Sequence, residues 1–151
     1  MRIAVVTESD LDELLPLLRA YCDFYSVNPS DDGLRAMCRA LIVDPAREGM
    51  QLLAREGDDD AAVGFATIFW TWATTRAGRI GIMNDLFVAP GARGSGVGTA
   101  LIEACVQRCV EHGAIALEWQ TELDNETAQS VYDRIGGERS QWLSYQLPVS
   151  R

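Results

Sequence analysis

The chain has 151 residues, 48% of them hydrophobic, which bounds it to one domain with a real core. Its 22 Asp and Glu against 13 Lys and Arg give a net charge of −9, which argues against nucleic acid as the main ligand. No apolar run approaches the roughly 20 residues of a membrane span, and the opening Met1–Glu8 turns acidic too early for a signal peptide, so a cytoplasmic protein without membrane attachment is expected.

Arg2–Val6 reads as a first strand. Ser9 or Asp10 can cap a helix from Leu11 to about Tyr25, with Leu11, Leu14, Leu15 and Leu18 on one face and Pro16 early enough to be tolerated. That helix ends in three aromatics and an acid, Tyr21, Asp23, Phe24 and Tyr25. Ser30, Asp31 and Asp32 cap a second helix that runs to about Val43, where Asp44 and Pro45 stop it. Gln51–Arg55 and Ala61–Trp72 read as strands joined by the polar turn Gly57–Asp60, and Trp70–Gly78 as a second hairpin region.

Arg79–Val88 is the next strand, and it feeds a loop of distinctive composition. Pro90 and Gly91 turn the chain, and Arg93-Gly94-Ser95-Gly96-Val97-Gly98 opens a helix that starts with Thr99 and runs to about His112, with Gly113 as its C-cap. A helix N-terminus leaves N–H groups unpaired and carries partial positive charge, glycines let an anion approach the main chain, and Arg93 adds a fixed cation. The loop has no Lys before Thr99, so it is not a P-loop, and its glycines at 94, 96 and 98 do not give the dinucleotide spacing. Ala114–Gln120 reads as a strand, Asp124 and Asn125 cap a helix through about Ile135, and Arg139–Leu147 reads as a last strand. The order is β-α-α-β-β-β-α-β-α-β, an α/β domain with a mixed sheet.

Cys22, Cys38, Cys105 and Cys109 all fall in helices without C-x-x-C spacing, and with one His in the chain they read as buried thiols rather than metal ligands. His112 suits a helix C-terminus by charge, which is a simpler account than catalysis. Trp70 and Trp72 read as core by default, and as pocket wall or dimer interface otherwise.

The Arg93 loop, the run Asn84-Asp85-Leu86-Phe87-Val88 before it, Glu118-Trp119-Gln120-Thr121, Asn125, Ala128 and Tyr132 together resemble the GCN5-related N-acetyltransferase (GNAT) superfamily, and within it the branch of diamine and yeast histone-and-polyamine acetyltransferases. The resemblance runs from end to end. It implies a single N-acetyltransferase domain over residues 1–151, with a mixed, mostly antiparallel sheet flanked by helices and central strands that splay apart. It implies acetyl-CoA as co-substrate, its pyrophosphate on the amides of Gly94, Ser95, Gly96, Val97, Gly98 and Thr99 beside Arg93. The main chain of Leu86, Phe87 and Val88 would line the pantetheine arm, with an N–H there polarising the thioester carbonyl. Asn125, also a simple N-cap, and Ala128 would meet the same arm.

Tyr132 is the candidate general acid by the same resemblance, since a phenol of pKa about 10 stays protonated at neutral pH. The base candidates are Asp85 and Glu118. The branch carries two adjacent acids where this chain has Asn84 and Asp85, and an amide binds an amine but takes no proton from it. Asp23, Phe24 and Tyr25, with Asn84, Trp119 and Gln120, would shape the acceptor pocket, where a carboxylate among aromatics suits an amine. The expected reaction is direct acetyl transfer to a primary amine, a small cationic one such as a polyamine or amino acid. A protein lysine or N-terminal amine, or a non-catalytic acyl-CoA sensor of the same fold, are the alternatives. The partners expected are a small amine and, in a homodimer, a second copy.

Overall fold

The computed structural model describes residues 1–149. Contacts divide it into two units, Met1–Gln120 and the segment from Thr121 onward.

The first unit is built on a five-stranded sheet in the order β1-β2-β3-β4-β5, with β1 (Arg2–Val5), β2 (Gly49–Glu56), β3 (Ala61–Ala73), β4 (Gly78–Val88) and β5 (Leu117–Glu118). The first four strands pair antiparallel, and β5 pairs parallel to β4. Long apolar runs explain β2 and β3, which are buried along most of their length and so do not alternate in hydropathy. Two helices, α1 (Leu11–Phe24) and α2 (Asp31–Val43), precede β2. Ser30 caps α2 by accepting the Gly33 N–H at 3.0 Å. Asp10 caps nothing on α1; it accepts the Thr7 N–H at 2.8 Å and holds a short 3-10 turn ahead of the helix.

One sheet face carries α1 and α2. Leu14, Leu18, Cys22, Leu34 and Cys38 meet Leu53, Phe65 and Phe87 there in one apolar cluster. In α1 Leu17 is buried and Leu15 only partly so, a small rotation of the expected face. The other face carries α3 (Val97–His112), whose Val97 and Leu101 sit over Gly64 and whose Cys109 sits over Gly81. Val106 of the same helix is exposed. All four cysteines are buried, and burial pushes the Cys105 thiol up to about 12. Trp70 is core, stacked on His112 at 3.9 Å and donating from Nε1 to the Pro45 carbonyl at 2.9 Å. Burial, with Arg79 nearby, holds the His112 imidazole below its usual range. Trp72 is exposed under the Arg79 guanidinium.

Arg55 ties β2 to the start of α1. Its guanidinium is nearly buried, pairs with Asp10 at 2.9 Å and with Glu13, and donates to the Asp60 carbonyl at 3.2 Å.

β5 is shorter than the expected strand over residues 114–120. It meets β4 only at Gly81 and Ile82, so the edge of β4 from Met83 to Val88 has no β5 partner among the described residues. This is the expected splay of the central strands.

The second unit holds α4 (Glu126–Arg134), capped by the Asn125 side chain, which accepts the Ala128 N–H at 3.2 Å. The helix stops at Ile135, and the Gly136 and Gly137 N–H groups bond back to the Asp133 and Tyr132 carbonyls. Arg139 pairs with Asp133 and also donates to Gln129 at 3.2 Å. The expected strand over residues 139–147 is not formed: the chain there has no regular structure, and Trp142, Leu143, Tyr145 and Leu147 are exposed. Strand propensity states only that a segment fits a pleated, half-buried surface, and it forms nothing without one. No helix among the described residues is long and apolar enough to cross a membrane.

Candidate functional site

β4 carries the first half of the site. Opposite residues in the β3–β4 ladder are Phe65 with Phe87 and Thr67 with Asp85; the next pair is Ile68 with Met83, so Asn84 is an extra residue at a bulge. The bulge turns Asn84 out to solvent while Asp85 stays in, 8% exposed. Gln51 of β2 lies opposite Thr67. A row of three buried polar side chains, Gln51, Thr67 and Asp85, therefore crosses the sheet beside the apolar row Leu53, Phe65 and Phe87.

The hydrogen bonds in that row have a direction. Gln51 Nε2 donates to Thr67 Oγ1 at 3.2 Å, which leaves the Thr67 hydroxyl proton for Asp85. Asn84 Nδ2 donates to Asp85 Oδ1 at 3.0 Å, and the Tyr21 hydroxyl comes down from α1 onto the same carboxylate. Burial pushes the Asp85 carboxyl above the usual carboxylate range, and the bonds from Thr67, Tyr21 and Asn84 pull it only partway back. Tyr21 is held above the usual phenol range, by burial first and then by the charge of Asp85.

Around Tyr21 the end of α1 forms an aromatic patch. Its ring is edge-on to Tyr25 at 5.0 Å, to Phe65 at 5.8 Å and to Phe87 at 6.3 Å, and Phe24 is edge-on to Tyr25 at 5.1 Å. Asp23, Phe24 and Tyr25 are exposed. The structure thus joins the aromatic end of α1 to Asp85, through Tyr21.

The loop after β4 supplies the second half. Gly94 and Gly96 have φ of +81° and +91°, conformations that glycine adopts at least cost, and a Cβ on either would meet nothing within 4 Å. The surface over the loop is open. Arg93 Nε donates to the Val88 carbonyl at 3.0 Å, and Ser95 Oγ to the Ala92 carbonyl at 2.7 Å, so both side chains brace the turn. The first α3 bond is Ala100 N–H to the Gly96 carbonyl at 3.0 Å, so Val97, Gly98 and Thr99 start the helix with N–H groups that have no partner within it. These donors around an open, positively polarised turn fit a pyrophosphate.

Backbone groups along an antiparallel strand alternate in the edge they face. Ala89 N–H bonds to the Val63 carbonyl of β3, whereas the Val88 carbonyl receives Arg93. Leu86 and Val88 therefore present their backbone to the open edge of β4. Phe87 turns its side chain into the core, where it packs on Phe65 at 6.1 Å.

Glu118 is exposed, bound to Arg76, and opposite Ile82 in the β4–β5 pair. Trp119 is half-buried and Gln120 exposed. Tyr132, half-buried, and Asn125 lie seven residues apart across α4 in the second unit, with Ala128 between them. Sequence reasoning missed Gln51 and Thr67. Their signal was a polar residue inside an otherwise apolar strand, and only the register shows that the two line up with Asp85.

Residues 14–137 match the family model described as "Acetyltransferase (GNAT) family". An uncharacterised N-acetyltransferase of Bacillus subtilis is 33% identical over 91% of this chain and 90% of its own length. The thialysine N-epsilon-acetyltransferase of Mus musculus is 25% identical over 97% of this chain and 91% of its own. The crystal structure of a probable acetyltransferase superposes with a TM-score of 0.86 at 30% identity, covering 100% of this chain and 99% of that one. With the phosphate-fitting loop, the open β4 edge and these matches together, the chain belongs to the GNAT family of acetyltransferases and takes acetyl-CoA as its co-substrate.

Proposed function

We propose that the protein transfers the acetyl group of acetyl-CoA directly to a primary amine that is small and cationic, a polyamine or an amino acid, with one N-acetyltransferase domain spanning residues 1–151. The observation that carries the reading is Asp85, a buried carboxylate that reaches the aromatic end of α1 through Tyr21. Aromatic faces and carboxylates attract ammonium groups, and a carboxyl raised by burial is a better base than an exposed one. A net charge of −9 also concentrates cations near the surface.

In this reading Asp23, Phe24, Tyr25, Asn84, Trp119 and Gln120 receive the amine. Asp85 takes its proton, so the lone pair is free to attack. Glu118, the other base candidate, is already engaged by Arg76, which favours Asp85. Bound acetyl-CoA supplies the thioester that is attacked. Amides of Gly94 to Thr99, with Arg93, hold its pyrophosphate end, and Leu86 and Val88 guide its arm along the open edge, with Phe87 anchoring the strand between them in the core. A backbone N–H at Leu86 or Val88 is the donor for the carbonyl oxygen as charge develops there. Asn125 and Ala128 steady the arm, and Tyr132 gives a proton to the departing thiolate.

Two relatives support a small amine. One is the mouse thialysine enzyme; the other, a D-amino-acid N-acetyltransferase of Saccharomyces cerevisiae, is 35% identical over 55% of this chain and 52% of its own length. A second reading, acetylation of a protein amine, draws on a ribosomal-protein-alanine N-acetyltransferase of Brucella melitensis, whose structure superposes with a TM-score of 0.77 at 25% identity over 99% of this chain. A cytoplasmic setting and a homodimer belong to the same proposal, and light scattering checks the second.

The test is thiol release from acetyl-CoA against spermidine, putrescine, lysine, thialysine, aminoglycosides and a peptide with a free N-terminus. Release that depends on a small amine supports the first reading, and release with the peptide alone supports the second. Tight acetyl-CoA binding without release from any amine moves the protein to the class of acyl-CoA sensors.

A further inference from the structure

We propose that Gln51 is a positioning residue, whose amide N–H turns the Thr67 hydroxyl toward Asp85 and so holds that side chain as an oriented carboxylate for the incoming amine. Its use in catalysis rests on the reading of Asp85 as the base.

Gln51 is out of place in its strand. The residues after it, Leu52, Leu53 and Ala54, are buried and apolar, and Gln51 itself is 2% exposed. A buried amide is costly wherever one of its groups lacks a partner. Here one does. Nε2 donates to Thr67 Oγ1 at 3.2 Å, while Oε1 is buried with no hydrogen-bond partner among the described residues. An apolar side chain of the same size would serve packing better. What distinguishes Gln51 is therefore the effect of its nitrogen on Thr67.

Thr67 is fully buried and stands directly opposite Gln51 on β2 and Asp85 on β4. Opposed side chains on one sheet face have Cβ atoms about 4.5–5.5 Å apart, within reach of a hydroxyl and a carboxylate. The ladder rows on either side are apolar, Leu53, Phe65 and Phe87 on one and Gly49, Phe69 and Ile82 on the other. A hydroxyl has one proton. With the Thr67 oxygen accepting from Gln51, that proton has Asp85 as its charged acceptor across the ladder. The reverse amide orientation would take the proton for Oε1 and aim a hydroxyl lone pair at the carboxylate, which repels it. The charge on Asp85 and the direction of the Gln51 amide thus select each other.

Other groups also face Asp85. Tyr21 of α1 and Cys38 of α2 lie in its field, and burial keeps both neutral. Arg35 of α2 acts on Cys38 by its charge and is itself paired with Asp12 at 2.8 Å. Asn84, on the same strand, donates to Asp85 Oδ1 at 3.0 Å. Thr67 is the link from Gln51 to the carboxylate.

The experiment titrates Asp85 by carboxyl-carbon NMR in wild type, Gln51→Met, Thr67→Val and the double variant, with the resonance assigned by its loss in Asp85→Asn. Met keeps the length and volume of Gln without a donor. Each protein is first checked for a cooperative urea melt. A donor that favours the charged form lowers a carboxyl midpoint, so its loss raises it. Gln51→Met should move the Asp85 midpoint up by about half a pH unit, and Thr67→Val by about one. The double variant should match Thr67→Val alone, because Gln51 acts through the hydroxyl. The acid limb of kcat/KM for the best amine of the panel should move in the same order. A merely structural Gln51 would give a lower melt and an unmoved midpoint. An unmoved Asp85 midpoint in Gln51→Met, or shifts that add in the double variant, overturn the proposal. A midpoint that moves while the acid limb stays keeps the coupling of Gln51 to Asp85 and removes Asp85 as the base.

Discussion

Thr67 on β3 and Asp85 on β4 face each other across the antiparallel ladder, and directly after them the register slips by one residue, leaving Asn84 out of the pairing. One irregularity thus puts an amide in solvent and a carboxylate in the core at adjacent positions. The arrangement is costly for folding and useful for proton transfer.

Asp85 should lower stability at neutral pH. Its folded-state pKa is raised, chiefly by burial, so its contribution to stability is present below the unfolded pKa and lost as pH rises through the folded one. Asp85→Asn is expected to melt at higher denaturant than wild type at neutral pH, with the gap closing near about pH 3, where the unfolded carboxyl is protonated. A gap of opposite sign at neutral pH would refute the assignment of a strained carboxylate.

Thr67→Val removes the hydroxyl that accepts from Gln51 and donates to Asp85. With two polar groups left short of a partner, the cost is expected at about 2 kcal/mol in urea melts. Thr67→Ser keeps the hydroxyl and should recover most of the stability lost by Thr67→Val.

Gly96→Ala tests the loop. Its φ of +91° strains any side chain, and the added methyl stands in the open space over the turn. Stability should fall by about 1 kcal/mol, while KM for acetyl-CoA rises about tenfold, which corresponds to one lost anion contact. Unchanged KM would detach the loop from the pyrophosphate.

Arg55 supplies a stability test remote from chemistry. It is nearly buried and pairs with Asp10 and Glu13, which are themselves more exposed, so Arg55→Met should cost about 2 kcal/mol rather than the larger penalty of a wholly buried pair. The KM for acetyl-CoA should not move.

Tyr132→Phe should bind acetyl-CoA as wild type and turn over at least about tenfold more slowly. Stopped-flow thiol release separates the two quantities, and an unaltered rate removes Tyr132 from the role of acid.

The sequence by itself determined the helices and long strands, because their signals are local. Ser30 caps α2, Gly113 ends α3, and the apolar runs of β2 and β3 are legible as written. It also marked the Arg93 loop, since alternating glycines and an Arg before a helix suit an anion, and it singled out Asp85 and the aromatic end of α1. Only the tertiary structure decided the rest. The register of β2, β3 and β4 lined Gln51 and Thr67 up with Asp85 through two successive strand pairings that no local pattern encodes. A bulge left Asn84 exposed beside the buried Asp85, with a hydrogen bond still joining the two. The brief β4–β5 pairing opened the strand edge, and Arg76 claimed Glu118. Residues 139–147, strand-like in pattern, formed no strand. A side chain's environment depends on what lies across the sheet from it, and that is fixed when strands pair, not when residues follow one another.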